Sequence, residues 1–372
     1  MAKRHPLQHI LAPILLPLSL LYGMGGSLRR CLARKGLLRT WKPPRPCVSV
    51  GNISWGGTGK TPVTDCLLSW ASKRGLRAAV LTRGYGAHPS AVPLRAAPGV
   101  PASECGDEPL MLASKHPDAA VMVDPDRNRA GRLLEKTSPP DFYLLDDGFQ
   151  HLSTGRDLDI VLLDKDDIPR SPLPGGEPSN WNRVLPAGSW RERATALKDA
   201  GIFLIKTSPE EWPVLMPALK ERLARWPRPV FAFRMAPAGL RALSPETTAL
   251  ADASAVSGPY VFVCGIGDPS QALRTVMEFF GRPPERTLTF PDHHDFRKEK
   301  TTLEALGLPV VCTGKDAVKI APLHLGVPAF SLEVSAEFFA SLSAEETAGL
   351  TTDRPEHSFE DWWNRWLDRH LI

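Results

Sequence analysis

Residues Val48 to Pro62 read Val-Ser-Val-Gly-Asn-Ile-Ser-Trp-Gly-Gly-Thr-Gly-Lys-Thr-Pro, and this stretch decides the fold. Three β-forming residues lead into a glycine-rich loop that ends in Gly59, Lys60 and Thr61, and residues 63–73 are compatible with a helix. A strand, loop and helix in this order can wrap phosphates, because glycines let backbone N–H groups approach and a helix N-terminus favours anions. We therefore predict a nucleotide site in which Lys60 adds positive charge and Thr61 ligates magnesium.

The loop departs from the strict phosphate-binding pattern at one position. A glycine is expected six residues before Lys60, and Ser54 stands there, although glycines at 51, 56 and 57 supply flexibility nearby. The alternative interpretation is a plain glycine-rich turn. The strand before the loop and the helix after it favour the phosphate site. The residues predicted to contact the nucleotide are Ser54, Trp55, Gly56, Gly57, Thr58, Gly59, Lys60 and Thr61.

Length and composition indicate a globular chain of more than one domain. The 372 residues are long for a single ordinary domain, and 42% hydrophobic with 23% charged residues argues against disorder. The six cysteines form no Cys-x-x-Cys pair, which is typical of reduced thiols in a cytosolic protein and makes structural zinc improbable.

The beginning of the chain is basic and apolar. Residues 1–64 contain ten Lys or Arg, including Lys3 and Arg4, and no acid, so the remainder carries 35 basic and 41 acidic residues. Such a segment favours a polyanionic surface. The apolar run from Ile10 to Met24, interrupted by Pro13 and Pro17, favours anionic lipid over nucleic acid and is too short to span a bilayer. A signal peptide and a helix buried on the body of the protein are the alternatives.

Polar residues follow the later apolar runs, where an α/β sheet usually keeps its site. Arg83 follows the run at 77–82, and Arg127 follows the run at 119–123, where it could clamp a phosphate or simply open the next helix at the surface. The run at 142–145 ends in Asp146 and Asp147, as expected of a magnesium-holding carboxylate, although a turn rich in Asp and Gly is the alternative. Because neighbouring strand residues point to opposite faces, we expect one carboxylate of the pair to meet the metal directly.

The alternation of strands and helices predicts an α/β fold, a P-loop NTPase-like and mostly parallel sheet flanked by helices. We expect an N-terminal membrane-interfacial segment at 1–40, a P-loop domain at 41–226 and a second, smaller α/β domain at 227–372. In the tail, Phe359, Trp363 and Leu367 recur at helical spacing, which favours packing over ligand binding.

Seven motifs follow one another along the chain: Val50 to Pro62, Arg83-Gly84-Tyr85-Gly86, Gly106-Asp107-Glu108-Pro109, Asp146 to His151, Leu185-Pro186-Ala187-Gly188, Gly265-Ile266-Gly267 and Asp292-His293. In this order they resemble the tetraacyldisaccharide 4′-kinase family, the lipid A kinases of Gram-negative bacteria. The family shares the absence of the first loop glycine, so Ser54 is part of the resemblance. Two positions depart from it: Gly314 stands where the family usually has Glu, and Ala87 stands where a second glycine is common.

The resemblance implies ATP-dependent phosphorylation of the 4′-hydroxyl of a tetraacylated glucosamine disaccharide 1-phosphate. It implies Asp107 as the base with His293, and not its neighbour His294, as partner; without the resemblance both histidines would be surface turn residues. Thr61 and an aspartate of the Asp146–Asp147 pair would hold Mg²⁺ with help from Gln150.

The expected partners are the lipid A disaccharide precursor and the phospholipid surface on the cytoplasmic face of the inner membrane, with neither nucleic acid nor an obligate protein partner. We expect Arg83 and Arg127 to bind substrate. The alternatives are a membrane-recruited P-loop NTPase switch and a soluble small-molecule P-loop kinase.

Overall fold

One sheet of twelve strands runs through residues 12–168, 181–244, 249–350 and 358–371, the part of the chain that the computed structural model describes. The spatial order is β10-β9-β11-β12-β8-β7-β6-β1-β5-β2-β4-β3, and neighbours are parallel except β8 with β12 and β3 with β4. The predicted α/β fold with a mostly parallel sheet is confirmed. The strands are β1 (Cys47–Asn52), β2 (Ala78–Thr82), β3 (Leu94–Arg95), β4 (Ala120–Val123), β5 (Phe142–Asp146), β6 (Leu158–Asp164), β7 (Ile202–Lys206), β8 (Val230–Ala242), β9 (Val261–Cys264), β10 (Arg286–Thr289), β11 (Val310–Thr313) and β12 (Ala329–Leu342).

Helices flank the sheet. In the described part of the chain they are α1 (Ala12–Arg34), α2 (Lys60–Lys73), α3 (Ala102–Cys105), α4 (Asp107–Lys115), α5 (Arg127–Thr137), α6 (Trp212–Leu223), α7 (Pro269–Phe280), α8 (Lys300–Ala305), α9 (Gly314–Ile320), α10 (Ala344–Thr347) and α11 (Phe359–His370). Short 3₁₀ turns lie at Lys165–Asp167, Ala194–Asp199, Ala253–Val256, Phe296–Glu299 and Ala321–Leu323.

The central strands are buried on both faces, as apolar strands between two helical layers must be. Every residue of β1 and β2 is buried. Because β6, β1, β5 and β2 are four consecutive parallel strands, their carboxyl ends meet at one edge of the sheet. This edge brings together the residues that follow Asn52, Thr82 and Asp146.

Two long antiparallel strands join the two ends of the sheet. β8 runs from Val230 to Ala242 and pairs along its length with β12, a pairing that the sequence did not indicate. The first residues of β8 also pair with β7, so the sheet is continuous across the expected boundary at 226/227. The division into domains at that position stays a proposal.

The tail crosses back to the first half of the chain. Phe359, Trp363 and Leu367 of α11 are fully buried in the apolar cluster that also contains residues of β1, β2 and α2. Ser358 caps the helix, since its side chain accepts a hydrogen bond from the amide of Asp361. The interpretation of this aromatic stripe as packing is therefore confirmed.

The N-terminal helix is continuous through Pro17, which costs it one hydrogen bond without ending it. Residues 1–11, including Lys3 and Arg4, lie outside the described part of the chain. Large apolar side chains of α1 are half or more exposed, from Leu18 at 50% to Ile14 at 66%, whereas Ser19, Gly23 and Arg30 are buried. One face of α1 therefore packs on the body of the protein, and the exposed apolar side chains lie away from it. Within the described residues, no helix combines the length and apolarity that crossing a bilayer requires.

Candidate active site

The glycine-rich loop connects β1 to α2 at the carboxyl edge of the sheet. Gly59, the residue before α2, adopts a left-handed conformation with φ of 95° and provides no side-chain cap, so the first amides of α2 are left for another acceptor. The buried side chain of Asn52 donates to Thr58 Oγ1 at 3.0 Å and thereby braces the loop. The helix N-terminus and the side chain of Lys60 together form a site for an anion.

The segment from Ser189 to Arg191 forms backbone hydrogen bonds with the beginning of the loop. The amide of Trp55 donates to the carbonyl of Ser189 at 2.7 Å, and the amide of Arg191 donates to the carbonyl of Ile53 at 2.7 Å. Ser54 is buried between these bonds and is absent from the residues with positive φ. A side chain is tolerated at position 54 because the backbone there does not need glycine.

The two adjacent aspartates face different partners. Asp146 is the last residue of β5, and its Oδ2 accepts a hydrogen bond from Thr82 Oγ1 at 2.9 Å. The expectation that both carboxylates lie on one strand is wrong, because Asp147 leaves β5 with a φ of 48°. Asp147 Oδ2 accepts from Arg191 Nη1 at 2.8 Å, and its Oδ1 lies 3.5 Å from Lys60 Nζ.

These surroundings separate the acidities of the pair. Burial raises the pKa of Asp146 to about 6, and the negative charges of Glu108 and Asp147 act in the same direction. Burial also acts to raise the pKa of Asp147, but the charges of Lys60 and Arg191 outweigh it and hold that pKa below its ordinary value. Asp147 is therefore ionised at neutral pH, whereas Asp146 gains and loses its proton at about pH 6.

Two further polar residues of the predicted metal site have partners in the protein. Thr61 Oγ1 donates to Glu108 Oε2 at 2.8 Å. Gln150 Nε2 donates to the carbonyl of Asn52 at 2.8 Å, and its Oε1 accepts from Arg191 Nη1 at 3.3 Å. Gln150 thus ties the aspartate turn to the end of β1.

The carboxylate oxygens at this site can be set against the ligands that a magnesium ion requires. In the described ranges, no three His, Cys, Asp or Glu side chains converge as ligands for a metal. Mg²⁺ is usually held by one or two carboxylates together with phosphate oxygens and water, so Asp146 and Asp147 beside a bound nucleotide would suffice. Asp147 Oδ1 is buried without a hydrogen-bond partner, which leaves an oxygen for a cation. The residues present fit Mg²⁺ in this chemical sense.

The buried carboxylate of Asp107, in the first half of the chain, contacts a lysine and a histidine of the second half. Asp107 is the first residue of α4. Its Oδ2 accepts from Lys319 Nζ at 3.0 Å and lies 3.0 Å from His293 Nδ1. The neighbouring His294 instead lies with Nε2 3.2 Å from Glu299 Oε1. The fold therefore brings His293, and not His294, to Asp107.

The segment Thr313-Gly314-Lys315-Asp316 brings a second lysine, Lys315, to this cleft. Lys315 Nζ lies 2.8 Å from Asp292 Oδ1 and 3.6 Å from Glu108 Oε1. Burial acts to lower the pKa of Lys315, but these carboxylates raise it above its ordinary value. A Cβ at Gly314 would lie 3.9 to 4.0 Å from the buried carboxylate of Glu333. The nearest atom to that Cβ would be Met111 Sδ at 3.3 Å, so a side chain at position 314 would meet Met111 first.

The two predicted substrate arginines differ in exposure. Arg83 is exposed after β2. Arg127 does open α5, but it is 5% exposed, so its interpretation as a surface residue is wrong. Its Nη1 donates to the carbonyl of Asp147 at 3.3 Å, while its buried Nε has no hydrogen-bond partner. Burial lowers the pKa of Arg127 below its usual value.

Four residues at the site were not singled out from the sequence. Glu108 binds Thr61, Arg191 binds Asp147 and Gln150, Lys319 binds Asp107, and Lys206 Nζ lies 3.3 Å from the carbonyl of Gly57. Lys206 ends β7, so the rule that strand ends carry the site could have found it. Arg191 and Lys319 lie outside any recognisable motif and give no such signal.

Comparisons with known proteins agree on one family. A family model described as Tetraacyldisaccharide-1-P 4′-kinase matches residues 11–348. A tetraacyldisaccharide 4′-kinase of Nitratidesulfovibrio vulgaris is 46% identical over 363 residues, which cover 97% of this chain and 96% of the relative. That of Oleidesulfovibrio alaskensis is 44% identical over 365 residues, 97% of each chain. The crystal structure of "apo" form LpxK from Aquifex aeolicus in complex with ATP is similar with a TM-score of 0.72 at 25% identity, covering 98% of this chain and all of that one.

Proposed function

Because the chain belongs to the tetraacyldisaccharide-1-P 4′-kinase family, we propose that it transfers the γ-phosphoryl group of ATP to the 4′-hydroxyl of a tetraacylated glucosamine disaccharide 1-phosphate. The chain is a kinase of lipid A biosynthesis by this membership. The structural observation that carries the reaction type is the convergence of three segments on the phosphate loop. Lys60 lies 3.5 Å from Asp147, and Thr61 donates at 2.8 Å to Glu108, the residue next to Asp107.

We infer that residues Ser54 to Thr61 hold the phosphates of ATP. The uncapped N-terminus of α2 supplies amide donors, and Lys60 is placed to neutralise charge on the β- and γ-phosphates. Lys60 is only 3.5 Å from Asp147, and this contact keeps the ammonium at the phosphate site when no nucleotide is bound.

Thr61, Asp146 and Asp147 are the residues that would hold Mg²⁺, with Gln150 assisting. Mg²⁺ when bound would neutralise charge on the phosphate oxygens. Thr61 would supply its hydroxyl oxygen, which donates to Glu108 in this structure, and Gln150 keeps the Asp147 turn at the end of β1. Arg191 offsets the second negative charge of the pair.

Asp107 is proposed as the base that accepts the proton of the 4′-hydroxyl. The hydroxyl oxygen then bonds to the γ-phosphorus, and the bond from that phosphorus to the β,γ-bridging oxygen breaks, which releases ADP. His293 orients Asp107 and can take the proton onward. We propose that Arg83 and Arg127 bind the acceptor; a guanidinium suits a phosphate, and Arg127 already lies beside the Asp147 turn.

We propose that the enzyme works at the cytoplasmic face of the inner membrane, where α1 contacts phospholipid. The exposed apolar side chains of α1 and the basic residues around it support this placement, because such a helix can lie in the membrane interface. Contact of α1 with the membrane is a separate matter from phosphoryl transfer and needs a separate test.

Incubation with labelled ATP and either the disaccharide lipid, soluble sugars or no acceptor tests the activity. We expect label in the disaccharide lipid and none in soluble sugars, with ADP formed in step with the lipid product. Steady ATP consumption without lipid would favour an NTPase switch, and label in soluble acceptors would favour a soluble small-molecule kinase.

A further inference from the structure

The membrane-side helix α1 carries one deeply buried arginine. Arg30 is 2% exposed, whereas the apolar residues earlier in the helix face outward. Ser19 and Gly23 are buried on the same face of α1 as Arg30, while Leu16, Leu20 and Leu28 are exposed. One face of α1 therefore packs on the body of the protein, and Arg30 lies on that face.

Every donor group of the Arg30 guanidinium has a partner. Nε and Nη2 each donate to a carboxylate oxygen of Glu192 at 2.7 Å, and Nη1 donates to Asp199 Oδ2 at 2.9 Å. Nη2 also donates to the carbonyl of Phe149 at 2.9 Å, and the guanidinium lies 4.4 Å from the centre of the Phe149 ring. A planar fork with this many fixed partners defines the position of what it binds.

Phe149 belongs to the turn that carries the predicted metal residues. Gln150 follows it directly, and Asp147 precedes it by two positions. Its carbonyl accepts a second hydrogen bond from Arg156 Nη2 at 3.1 Å, and the neighbouring carbonyl of Gln150 accepts from Arg29 Nη1 at 3.4 Å. Arg29 and Arg30 of α1, together with Arg156, therefore hold the backbone of this turn.

We propose that Arg30 is a positioning residue that fixes the Asp147–Gln150 turn, so that α1 is part of the catalytic centre as well as a contact to the membrane. The inference rests on the proposed kinase function for its catalytic consequence. Its structural part, that Arg30 immobilises the turn, stands on the contacts alone.

Arg34 supplies a matched control on the same helix. It binds only Asp199 among the described contacts and is about one-third exposed. Arg30→Lys, Arg30→Gln and Arg34→Gln can therefore be compared, since both glutamine variants remove one positive charge from α1. The lysine variant keeps the charge beside Glu192 but cannot reproduce the fork, which separates positioning from charge.

The experiment combines kinetics with amide hydrogen exchange. In full-length protein with detergent-dispersed lipid acceptor, we expect kcat to fall about tenfold or more in both Arg30 variants, with the KM of the lipid unchanged. Exchange in a peptide covering residues 147–152 should rise in the Arg30 variants and match wild type in Arg34→Gln. Vesicle flotation should be the same for the two glutamine variants.

Equal kcat in Arg30→Lys and wild type, or unchanged exchange at 147–152, would overturn the proposal. A rise in exchange spread over the whole chain would mean that Arg30 serves only general stability and would also overturn it. Absence of lipid phosphorylation by wild-type protein would refute the proposed function instead, while the exchange comparison would still decide whether Arg30 holds the turn.

Discussion

The carboxylates of Asp146 and Asp147 are adjacent in the chain but have opposite electrostatic surroundings. Asp146 is buried beside Thr82 and repelled by Glu108, whereas Asp147 is bound by Arg191 and lies near Lys60. The amino-acid types alone predicted an acidic pair at a strand end. They did not predict which carboxylate keeps a proton, because the charges that decide it come from other parts of the chain.

Magnesium dependence should report the titration of Asp146. Burial raises its pKa to about 6, so protonation removes a negative charge from the site as the pH falls through that value. We expect the Mg²⁺ concentration for half-maximal turnover to rise steeply between about pH 7 and about pH 5. Kinase assays over a magnesium series at each pH measure this.

Asp167 provides a control for that prediction. Burial raises the pKa of Asp167 to about 6 as well, although Ser189 donates to it at 3.0 Å. Asp167→Asn should keep the pH dependence of the magnesium requirement, and loss of that dependence in this variant would show that Asp146 is not its source. Because both folded pKa values are raised, ionisation of these acids lowers the stability of the unliganded protein as pH rises from about 4 to about 6.

The contact between Asp107 and His293 leads to a second prediction at this scale. Asp107→Ala or His293→Ala should lower kcat by about 10² or more, the range of a general base, while ATP binding survives because neither side chain belongs to the phosphate loop. Single-turnover kinetics and titration with a fluorescent ATP analogue separate the two effects. His294→Ala is the matched control, and near-normal rates in the Asp107 variant would remove the pair from the mechanism.

At the scale of single elements, α11 shows how an apolar stripe is used. Trp363 is fully buried against Phe142 of β5, with ring centres 5.9 Å apart, although the two residues are far apart in sequence. The helical spacing predicted the buried face. It did not indicate that this face covers the nucleotide half of the sheet, because periodicity says which side is apolar and not what the side meets.

Removal of the Trp363 side chain should destabilise the protein. Trp363→Ala is expected to cost about 3 to 5 kcal/mol in free energy of unfolding, because a large side chain leaves a cavity beneath the sheet. Trp366→Ala is the control, since Trp366 is only partly buried and should cost clearly less. Urea unfolding measures both, and equal losses would contradict the packing described for α11.

At the scale of the whole molecule, the cleft is made by both halves of the chain. Residues 41–226 supply the phosphate loop and Asp107, and residues 227–372 supply His293 and Lys319. We propose that the domain division is one of function, with β8 and β12 as the connection between the halves. The charge distribution follows a different division, because residues 1–64 carry ten Lys or Arg and no acid.

Membrane binding should depend on this uneven charge and on the exposed part of α1. Full-length protein should float with anionic vesicles, and the form beginning at residue 28 should float far less, because it keeps Arg30 and loses the exposed apolar residues from Ile14 to Met24. Binding should weaken as salt shortens the screening length from about 10 Å at 0.1 M to about 3 Å at 1 M. Equal flotation of the two forms would refute α1 as the membrane contact.

The sequence by itself determined the strand, loop and helix around Lys60, the order of the polar strand ends and the residue types of the site. These features depend on neighbours within a few positions, through backbone conformation, alternation and helix period. Only the tertiary structure decided the contacts of Arg191 and Lys319, the burial of Arg30, the length of β8 and the existence of β12. Each of these depends on which distant segments pack together, and a hydrogen bond or ion pair exists only when that packing brings atoms to within about 3 to 4 Å.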